Sequence, residues 1–463
     1  MSIYREYDIR GIFGKELNRD IVFNIGVHIA REIKKQNGTN IAIGYDARIH
    51  SPELFSWLVD GIFFENLEVY SLGMIPTPVA YFSLYNENTK ISSSIMITGS
   101  HNPKEYNGFK ITLFKKPFYG ESIKKLRDSI ESNFIEYKKS LLKPKSLPIL
   151  NLYIDFLTKH FSHLKNFKYK IALDCGNGVA ALGIERVLKN LNISYLPLYF
   201  EPIGDFPNHH PDPSEEKNLL DLKNAMKENN IPIGIAFDGD GDRVALLSRN
   251  YNFKGDELAI LFAKQMQKDG VENPFVIGEV KCSSNMYNVI NSFGKSMMYK
   301  TGHSNLKIKL METGAHLAAE MSGHMFFNDR YFGYDDAIYA ALRALELFLD
   351  SNVEEIENII FSLPKMYSTN EEKINCSEEE KFKIIENLKE NLKSPPRDFP
   401  EIIEIIDIDG VRVIFKDGWG LIRASNTTPV LVTRFEASSK EKALLYKQKL
   451  LSLIKRGEND NFK

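Results

Sequence analysis

Apolar positions in the first third of the chain alternate between helical and strand-like spacing. They recur every four residues from Ile21 to Ile33, which predicts one helical face, and Asn37-Gly38 ends that helix. A second helix is predicted with Ser51 as N-cap and Pro52 as its first residue. Between and after these helices, buried strands are predicted at residues 41–44, 67–72 and 91–98. This alternation indicates βαβ units and a parallel or mixed sheet.

The same alternation of strand-like and helical spacing begins again twice further along the chain. Predicted strands cover residues 170–174, 231–237, 275–280 and 316–319, and predicted helices cover 182–190, 283–293 and 335–349. The pattern breaks between residues 349 and 364, and the rest indicates an α+β unit with helices at 378–392 and 440–454. We therefore predict α/β domains at 1–148, 149–250 and 251–364, followed by an α+β domain at 365–463.

The composition narrows the classes of protein to which the chain can belong. Its 463 residues exceed what one hydrophobic core serves, and its net charge of −2 does not favour nucleic acid as a partner. The three separated cysteines form no C-x-x-C pair, which argues against a zinc site and a disulfide framework. A charged start and no apolar run of about 18 residues argue against a signal peptide and a membrane span. We expect a cytoplasmic protein.

The acidic segment Asp238-Gly239-Asp240-Gly241-Asp242-Arg243 follows the predicted strand that ends at Phe237. Carboxylates this close repel one another unless a cation neutralises them, and the glycines let the backbone bring them together. Oxygen ligands suit a hard divalent ion, Mg²⁺ or Ca²⁺. An EF-hand loop is excluded, because Arg243 and Arg249 stand where it needs Gly and Glu. A phosphotransferase with one of these aspartates as nucleophile stays open at this point.

The segment Thr98-Gly99-Ser100-His101-Asn102-Pro103 places a hydroxyl directly after a predicted strand. Open α/β folds bind ligands at the carboxyl ends of their strands, so Ser100 is a candidate nucleophile. It lacks the Gly-x-Ser-x-Gly spacing of a hydrolase, because position 98 is Thr and position 102 is Asn. Taken alone, a serine in such a segment more often belongs to a polar turn, and the second, acidic motif is what favours the nucleophile.

The histidine pair His209-His210 lies between Pro207 and Pro213 and is a further candidate for metal binding. Adjacent histidines seldom chelate one ion without a rigid turn, and imidazole matches Mg²⁺ poorly. We therefore predict a structural loop at these residues.

Together, the serine and aspartate motifs resemble those of the α-D-phosphohexomutases, specifically the bacterial phosphomannomutase/phosphoglucomutase group. The resemblance covers essentially the whole chain, in family order. The motifs that carry it are residues 5–11, 98–110, 238–243, 281–282, 301–304, 320–324 and 423–429. It implies three α/β domains with mixed sheets and a C-terminal α+β domain around a central cleft. It also implies small-molecule sugar phosphates as partners, no membrane, and a monomer or weak oligomer.

The resemblance implies that Ser100 is carried as phosphoserine and binds one Mg²⁺ together with Asp238, Asp240 and Asp242. Ser100 would pass its phosphoryl group to a sugar monophosphate, giving a hexose 1,6-bisphosphate that turns around and returns its other phosphate. Lys110 and His303 are favoured for proton transfer, whereas Arg10 supplies positive charge because a guanidinium rarely loses its proton. Further residues implied at the reaction centre are His101 and Arg243.

The resemblance also implies sugar and phosphate contacts. These are Tyr7, Lys281, Glu320, Ser322, His324, Arg423, Ser425, Asn426 and Thr427. Glu320 and Ser322 would contact the 3- and 4-hydroxyls, which glucose and mannose share, so dual specificity is expected. Met321 is similar to the dual-specificity group, and Glu279 stands where related sequences often have Asp. The alternatives are a phosphoglucosamine mutase, or a Mg²⁺-dependent sugar phosphatase with an aspartyl nucleophile.

Overall fold

The computed structural model describes residues 3–426 and 428–455 and builds them into four sheets. The first sheet has the strand order β1-β5-β4-β2-β3-β7, and β6 pairs with β5. Its strands are β1 (Ile9–Ile12), β2 (Asn40–Tyr45), β3 (Glu68–Met74), β4 (Ser93–Ile97), β5 (Tyr106–Leu113), β6 (Lys116–Pro117) and β7 (Lys145–Ser146). The helices beside it are α1 (Arg19–Lys35), α2 (Ser51–Phe64), α3 (Thr77–Tyr85) and α4 (Glu121–Ser132). The sheet is mixed, because β4, β2, β3 and β7 run parallel while β5 is antiparallel to β4 and β1.

The second unit carries a smaller mixed sheet of order β12-β11-β10-β8-β9. Its strands are β8 (Ile171–Asp174), β9 (Tyr195–Leu198), β10 (Ile233–Phe237), β11 (Val244–Ser248) and β12 (Asn252–Phe253). Its helices are α5 (Ile149–His160), α6 (Ala181–Asn190) and α7 (Leu220–Glu228). The acidic segment forms the tight connection between β10 and β11, which pair antiparallel.

The third unit has the strand order β14-β13-β15-β16, with only β16 antiparallel to its neighbour. Its strands are β13 (Phe275–Glu279), β14 (Lys295–Tyr299), β15 (Leu317–Ala319) and β16 (Met325–Phe327). Its helices are α8 (Gly255–Lys268), α9 (Ser284–Asn291), α10 (His303–Thr313), α11 (Ala337–Glu346) and α12 (Val353–Phe361).

The fourth unit is built on an antiparallel sheet of order β17-β22-β21-β20-β19, with β18 also paired to β22. Its strands are β17 (Tyr367–Ser368), β18 (Glu372–Asn375), β19 (Ile402–Ile406), β20 (Val411–Phe415), β21 (Gly418–Ala424) and β22 (Val430–Ala437). Its helices are α13 (Glu380–Lys393) and α14 (Lys440–Lys455). The predicted fold class, three α/β units with mixed sheets and one α+β unit, is confirmed.

The cores connect the units unequally. One apolar cluster runs from the first unit through the second into the third, and it includes Val79, Phe237 and Leu261. The fourth unit has its own cluster around Leu388 and Phe435. Burial of apolar surface is the main stabilising contribution to a fold, so the first three units are held together more extensively than the fourth. Among the described residues, no helix is long and apolar enough to cross a membrane.

Two local predictions were wrong. Ser51 is the first residue of α2 rather than its N-cap, and its hydroxyl donates to Asp46 at 2.8 Å. The predicted break at 349–364 contains α12, which begins with a capping box formed by Asn352 and Glu355. In each case a tertiary contact or a short amphipathic run overrides the local pattern.

Candidate active site

Ser100 occupies a strained turn between β4 and β5. Its φ of 49° lies in the left-handed region, which costs a non-glycine residue about 1–2 kcal/mol. The side chain is buried, and Oγ donates to Asp238 Oδ2 at 3.0 Å. His101 Nδ1 lies 3.1 Å from the same Oγ. Strain of this kind persists only where surrounding contacts enforce it.

Arg48 supplies those contacts, although no sequence pattern distinguishes it from a surface arginine. Its guanidinium donates, at 2.6 to 3.0 Å, to the backbone carbonyls of Ser100, Asn102, Pro103 and Tyr106. Asp46 pairs with Arg48 at 3.2 Å and accepts a hydrogen bond from the Thr98 hydroxyl at 2.7 Å. Position 99 must be glycine, because a Cβ there would lie 2.5 Å from the guanidinium carbon of Arg48. The loop is therefore fixed before any ligand binds.

The acidic segment folds so that its three carboxylates converge. Asp238 Oδ1 accepts the amides of Gly241, Asp242 and Arg243 at 3.0 to 3.1 Å, which closes the turn. One carboxylate oxygen from each of Asp238, Asp240 and Asp242 lies within 4.8 Å of the others, and all three residues are buried. Lys110 on β5 reaches this cluster from the first unit, with Nζ 2.7 Å from Asp240 Oδ2 and bonded to Asp242 Oδ2.

The donor set of this cluster fits a divalent cation. Asp240 Oδ1 and Asp242 Oδ1 are buried and have no hydrogen-bond partner in the part of the chain that the structure describes, so each has a lone pair to offer an ion. Burial, followed by repulsion from Asp240 and Asp242, raises the pKa of Asp238 well above its usual value. Burial also acts to raise the pKa of Asp240, but the charge of Lys110 outweighs it and the pKa falls below its usual range. Hard oxygen ligands of this kind suit Mg²⁺.

The predicted base His303 is the first residue of α10 and lies beside a buried pair that sequence reasoning missed. Lys307 Nζ donates to Asp335 Oδ1 at 2.9 Å, and His324 Nδ1 lies 3.2 Å from Asp335 Oδ2. Burial, and then the charge of Lys307, hold the pKa of His303 well below its ordinary value. Nothing in the sequence separates Asp335 from Asp336, the N-cap of α11. Asp242, His324 and Asp335 form a second group able to hold an ion, and it shares Asp242 with the first.

The predicted cations Arg10 and Arg243 flank the serine loop. Arg10 Nη1 donates to the Gly99 carbonyl at 3.0 Å, and Nη2 pairs with Asp8 at 2.5 Å. Arg243 Nε donates to His324 Nε2 at 3.0 Å. Burial, reinforced by Arg243, keeps the pKa of the neighbouring His101 well below its ordinary value. The structure thus brings every residue predicted for the reaction centre to one place.

The predicted phosphate anchor lies on the turn between β21 and β22. Arg423 Nε pairs with Asp409 at 3.1 Å, and the Ser425 hydroxyl lies 2.9 Å from that of Thr428. Asn426 Nδ2 donates to the Tyr7 hydroxyl at 2.5 Å, and that hydroxyl donates to the Thr301 carbonyl at 2.8 Å. The predicted contact Thr427 lies outside the described residues. Tyr7 therefore joins the first, third and fourth units at one atom.

The predicted sugar contacts come from the third unit. Glu320 Oε1 accepts the Gly302 amide at 2.7 Å, and Ser322 is half-buried in the turn that follows. Lys281 Nζ lies 3.2 Å from Glu371 and 3.5 Å from Glu279. Glu279 Oε1 also accepts the Met321 amide at 2.9 Å. Related sequences often have Asp where Glu279 stands. In this chain Glu279 connects Lys281 to the loop that carries Glu320 and Ser322.

The histidine pair does not join either group of potential ligands. His209 Nε2 lies 2.9 Å from Asp174 Oδ2, and Nδ1 contacts the His210 carbonyl at 2.9 Å. Within the described ranges, the groups able to hold an ion contain neither His209 nor His210. This arrangement agrees with the predicted structural loop.

Comparisons with known proteins find the same family along the whole length of the chain. The models for phosphoglucomutase/phosphomannomutase alpha/beta/alpha domains I, II and III match residues 1–136, 151–252 and 254–367, and the C-terminal domain model matches 371–453. A phosphomannomutase/phosphoglucomutase of Pseudomonas aeruginosa is 40% identical over 449 residues, covering 95% of this chain and 92% of that protein. A phosphoglucomutase of Neisseria gonorrhoeae is 39% identical over 443 residues, covering 95% and 93%.

Solved structures extend the likeness to three dimensions. A phosphoglucomutase/phosphomannomutase family protein from Burkholderia thailandensis superposes with a TM-score of 0.87 at 35% identity, covering 100% of this chain and 99% of that one. The open form of a phosphoglucomutase from Paramecium, at 19% identity, shares the fold with a TM-score of 0.76, covering 99% and 97%. The four sheets agree with the four matched domains, in the same order along the chain. The chain belongs to the phosphoglucomutase/phosphomannomutase family.

Proposed function

We propose that this chain transfers a phosphoryl group reversibly between the 1- and 6-positions of glucose and mannose phosphates. The transfer proceeds through a phosphoserine at Ser100 and a hexose 1,6-bisphosphate. The observation that carries the proposal is the 3.0 Å approach of Ser100 Oγ to Asp238 within the buried acidic cluster. The names of the relatives support the same reaction.

Each transfer exchanges one P–O bond for another. A sugar hydroxyl oxygen attacks the phosphorus on Ser100, the P–Oγ bond breaks, and Oγ takes up a proton as the sugar hydroxyl loses one. His303, kept neutral by burial, is suited to accept the proton from the sugar. Lys110, whose ammonium is paired with Asp240 and Asp242, is assigned as the proton donor. His101, 3.1 Å from Oγ, is placed to share the proton of the serine.

We assign the cation to Mg²⁺, held by Asp238, Asp240, Asp242 and an oxygen of phosphorylated Ser100. Bound there, it would offset negative charge on the phosphoryl group during transfer. Arg10 and Arg243 add positive charge to the same region, since both flank the serine loop. Asp238 is less favoured as an aspartyl nucleophile, because both of its carboxylate oxygens already accept hydrogen bonds.

The non-reacting phosphate is assigned to Arg423, Ser425, Asn426 and Thr427. An arginine binds phosphate bidentately, and neutral donors around it let the intermediate leave and turn around. Tyr7, Lys281 and His324 are assigned as further contacts to sugar or phosphate. Glu320 and Ser322 are assigned to the 3- and 4-hydroxyls, which gives little discrimination between glucose and mannose.

The arrangement of the whole chain is part of the proposal. We divide it into domains at 1–148, 149–250, 251–364 and 365–463, with the substrate bound where they meet. The enzyme acts as a cytoplasmic monomer or weak oligomer on free sugar phosphates. A hexose 1,6-bisphosphate serves as both intermediate and activator.

Substitution Ser100→Ala tests the mechanism. We expect turnover of glucose 1-phosphate to be abolished while binding of the sugar phosphate, measured by calorimetry, is retained. Ser132→Ala, a surface change in the same unit, is the control and should keep full activity. Intact-mass measurement should find one phosphate on the parent protein and none on the Ser100 variant. Full activity of that variant would contradict the mechanism.

Substrate choice is tested by assaying α-glucose 1-phosphate, α-mannose 1-phosphate and glucosamine 1-phosphate side by side with Mg²⁺ and a trace of hexose 1,6-bisphosphate. We expect the two neutral sugars to turn over at comparable rates. Faster turnover of the amino sugar would favour a phosphoglucosamine mutase. Release of inorganic phosphate without isomerised product would favour the phosphatase.

A further inference from the structure

The segment between β13 and α9 is held by arginines of the fourth unit. Arg412 Nη1, on β20, donates to the carbonyls of Val280 at 2.6 Å and Cys282 at 2.8 Å. Arg434 Nη1, on β22, donates to the carbonyl of Lys281 at 2.9 Å. Three successive carbonyls of the third unit are thus bound by two side chains of another unit.

The environment of Arg412 is unusual for a structural arginine. Its side chain is 1% exposed, and its guanidinium carbon lies 3.7 Å from the ring centre of Trp419. Among the described residues it forms no ion pair, and burial lowers its pKa to about 10. An apolar side chain would fill the same space without the cost of burying a charge. The hydrogen bonds of Arg412 to the neighbouring segment are therefore its distinguishing property.

The far end of the segment, at Ser284, is held by residues of β21 and β22. Trp419 Nε1 donates to Glu436 Oε1 at 2.8 Å, and that oxygen also accepts the Ser284 amide at 3.0 Å. Val280 packs with Trp419 and Leu421 in a small apolar cluster of its own. Backbone contacts at residues 280, 281, 282 and 284 thus leave the chain around Lys281 little freedom to shift.

Lys281 depends on the fourth unit at its side chain as well. Its Nζ lies 3.2 Å from Glu371, which precedes β18, and only 13% of the side chain is exposed. Its other carboxylate neighbour is Glu279, at 3.5 Å. Both the backbone and the charge of Lys281 are therefore located by residues that reach it from more than one unit.

We propose that Arg412 is a positioning residue: by holding the carbonyls on either side of Lys281, it makes the fourth unit set the place of that ammonium at the sugar phosphate. This inference rests on the proposed function, because it takes Lys281 as a ligand contact. Arg412 itself touches no substrate atom in this assignment. Its loss should weaken substrate binding while leaving the Ser100 chemistry intact.

The test compares Arg412→Met with Arg343→Met. Arg343 is equally buried and lies 4.4 Å from the ring of Phe327, but it pairs with Asp329 far from this segment. At a temperature where both variants are folded, we expect Arg412→Met to raise KM for glucose 1-phosphate about tenfold with kcat within about threefold. Arg343→Met should lower the melting temperature without changing KM. Equal KM values in the two variants would overturn the proposal.

A double-mutant cycle with Lys281→Met separates positioning from general destabilisation. If Arg412 acts through Lys281, adding Arg412→Met to Lys281→Met should raise KM by less than about twofold further. Fully additive effects would overturn the proposal. Should Arg412→Met fail to fold, Arg412→Lys enters the same cycle, since a lysine keeps the charge but lacks the planar guanidinium that lies over Trp419 and directs Nη1 at both carbonyls.

The failure of the proposed function would be recognised separately. If the parent protein isomerises no hexose phosphate, the mutase assignment fails, and the same cycle is then read from calorimetric dissociation constants for glucose 1-phosphate. Coupling between Arg412 and Lys281 in those constants would still support the positioning role. Absence of coupling, or of any binding, would overturn it.

Discussion

The two ends of the candidate site hold their charges differently. At the transfer centre, Ser100 donates to Asp238, which also accepts three backbone amides, and Lys110 pairs with the neighbouring buried Asp240. At the phosphate anchor, Arg423 pairs with Asp409, and its neighbours Ser425 and Asn426 are neutral. The first arrangement concentrates charge in a fixed geometry. The second attracts a phosphate only moderately, so the phosphate can dissociate from it.

The apolar clusters beneath the two ends also differ, and the transfer centre is again the more firmly held of the two. The transfer centre lies between units that share one apolar cluster, while the anchor belongs to a unit with a cluster of its own. Elements joined by less apolar contact open at lower free-energy cost. We therefore expect the reacting end to stay rigid and the anchor to move when the bisphosphate turns around or leaves.

The largest effect is expected from Asp240→Asn, which removes one charge from the transfer centre. The variant should lose about a thousandfold in kcat, because the cation that stabilises the transferring group would be held less well. Calorimetry should also find weaker Mg²⁺ binding, a readout independent of turnover. Asp205→Asn, at an exposed aspartate, is the control. Near-normal kcat in the Asp240 variant would contradict the comparison.

A smaller effect of a different kind is expected from Arg423→Lys at the anchor. Lysine keeps the charge but loses the fork that binds phosphate bidentately, so KM should rise about tenfold with kcat nearly unchanged. Steady-state kinetics with glucose 1-phosphate separates the two parameters. Arg397→Lys, on the surface of the same unit, should change neither. A fall in kcat comparable to that of Asp240→Asn would mean that the two ends do not divide their roles.

Gly302→Ala tests the connection between the two ends. Gly302 has a φ of 114°, and a Cβ there would lie 2.4 Å from the Tyr7 ring. The variant should lose about 1–2 kcal/mol of stability from the backbone and more from the clash. It should also raise KM about threefold by displacing Tyr7 from Asn426. Gly314 has a φ of 65° and open space around it, so Gly314→Ala should lose stability without a rise in KM.

The smallest effect is expected at His209, beside the transfer centre but outside it. Burial acts to lower the pKa of His209, but the hydrogen bond and charge of Asp174 outweigh it and the net shift is upward. The folded state therefore binds the proton more tightly than the unfolded state. This stabilisation is complete below pH ~6.5 and is lost as the pH rises through the folded-state pKa.

Melting temperatures measured over a range of pH will check the predicted direction of the change in stability. His209→Gln should lower the melting temperature by about 1–2 °C below pH ~6.5 and converge with the parent at higher pH. His210→Gln should act in the opposite direction, because burial lowers the pKa of His210 and its protonation favours the unfolded state. Turnover at neutral pH should be unchanged in both. A loss of turnover in His209→Gln would assign that loop to the transfer centre.

Sequence reasoning succeeded where the signal is local. The strands at 41–44 and 231–237 match β2 and β10 closely, because continuous apolar runs between turn residues have few other solutions. It failed where a distant partner decides the outcome. Arg48 gains its importance only from the serine loop 52 residues away, and Asp335 only from Lys307 and His324.

By itself, the sequence determined the alternation of strands and helices and the acidic turn, which follow from spacing and residue type, and it carried the motifs that resemble the family. Only the tertiary structure decided that Lys110 meets Asp240 across 130 residues and that Tyr7 meets Asn426 across 419. Such contacts depend on how the apolar faces of separate sheets pack, and no local pattern encodes that packing. The buried oxygens of Asp240 and Asp242 that have no hydrogen-bond partner among the described residues were likewise visible only once the chain was folded.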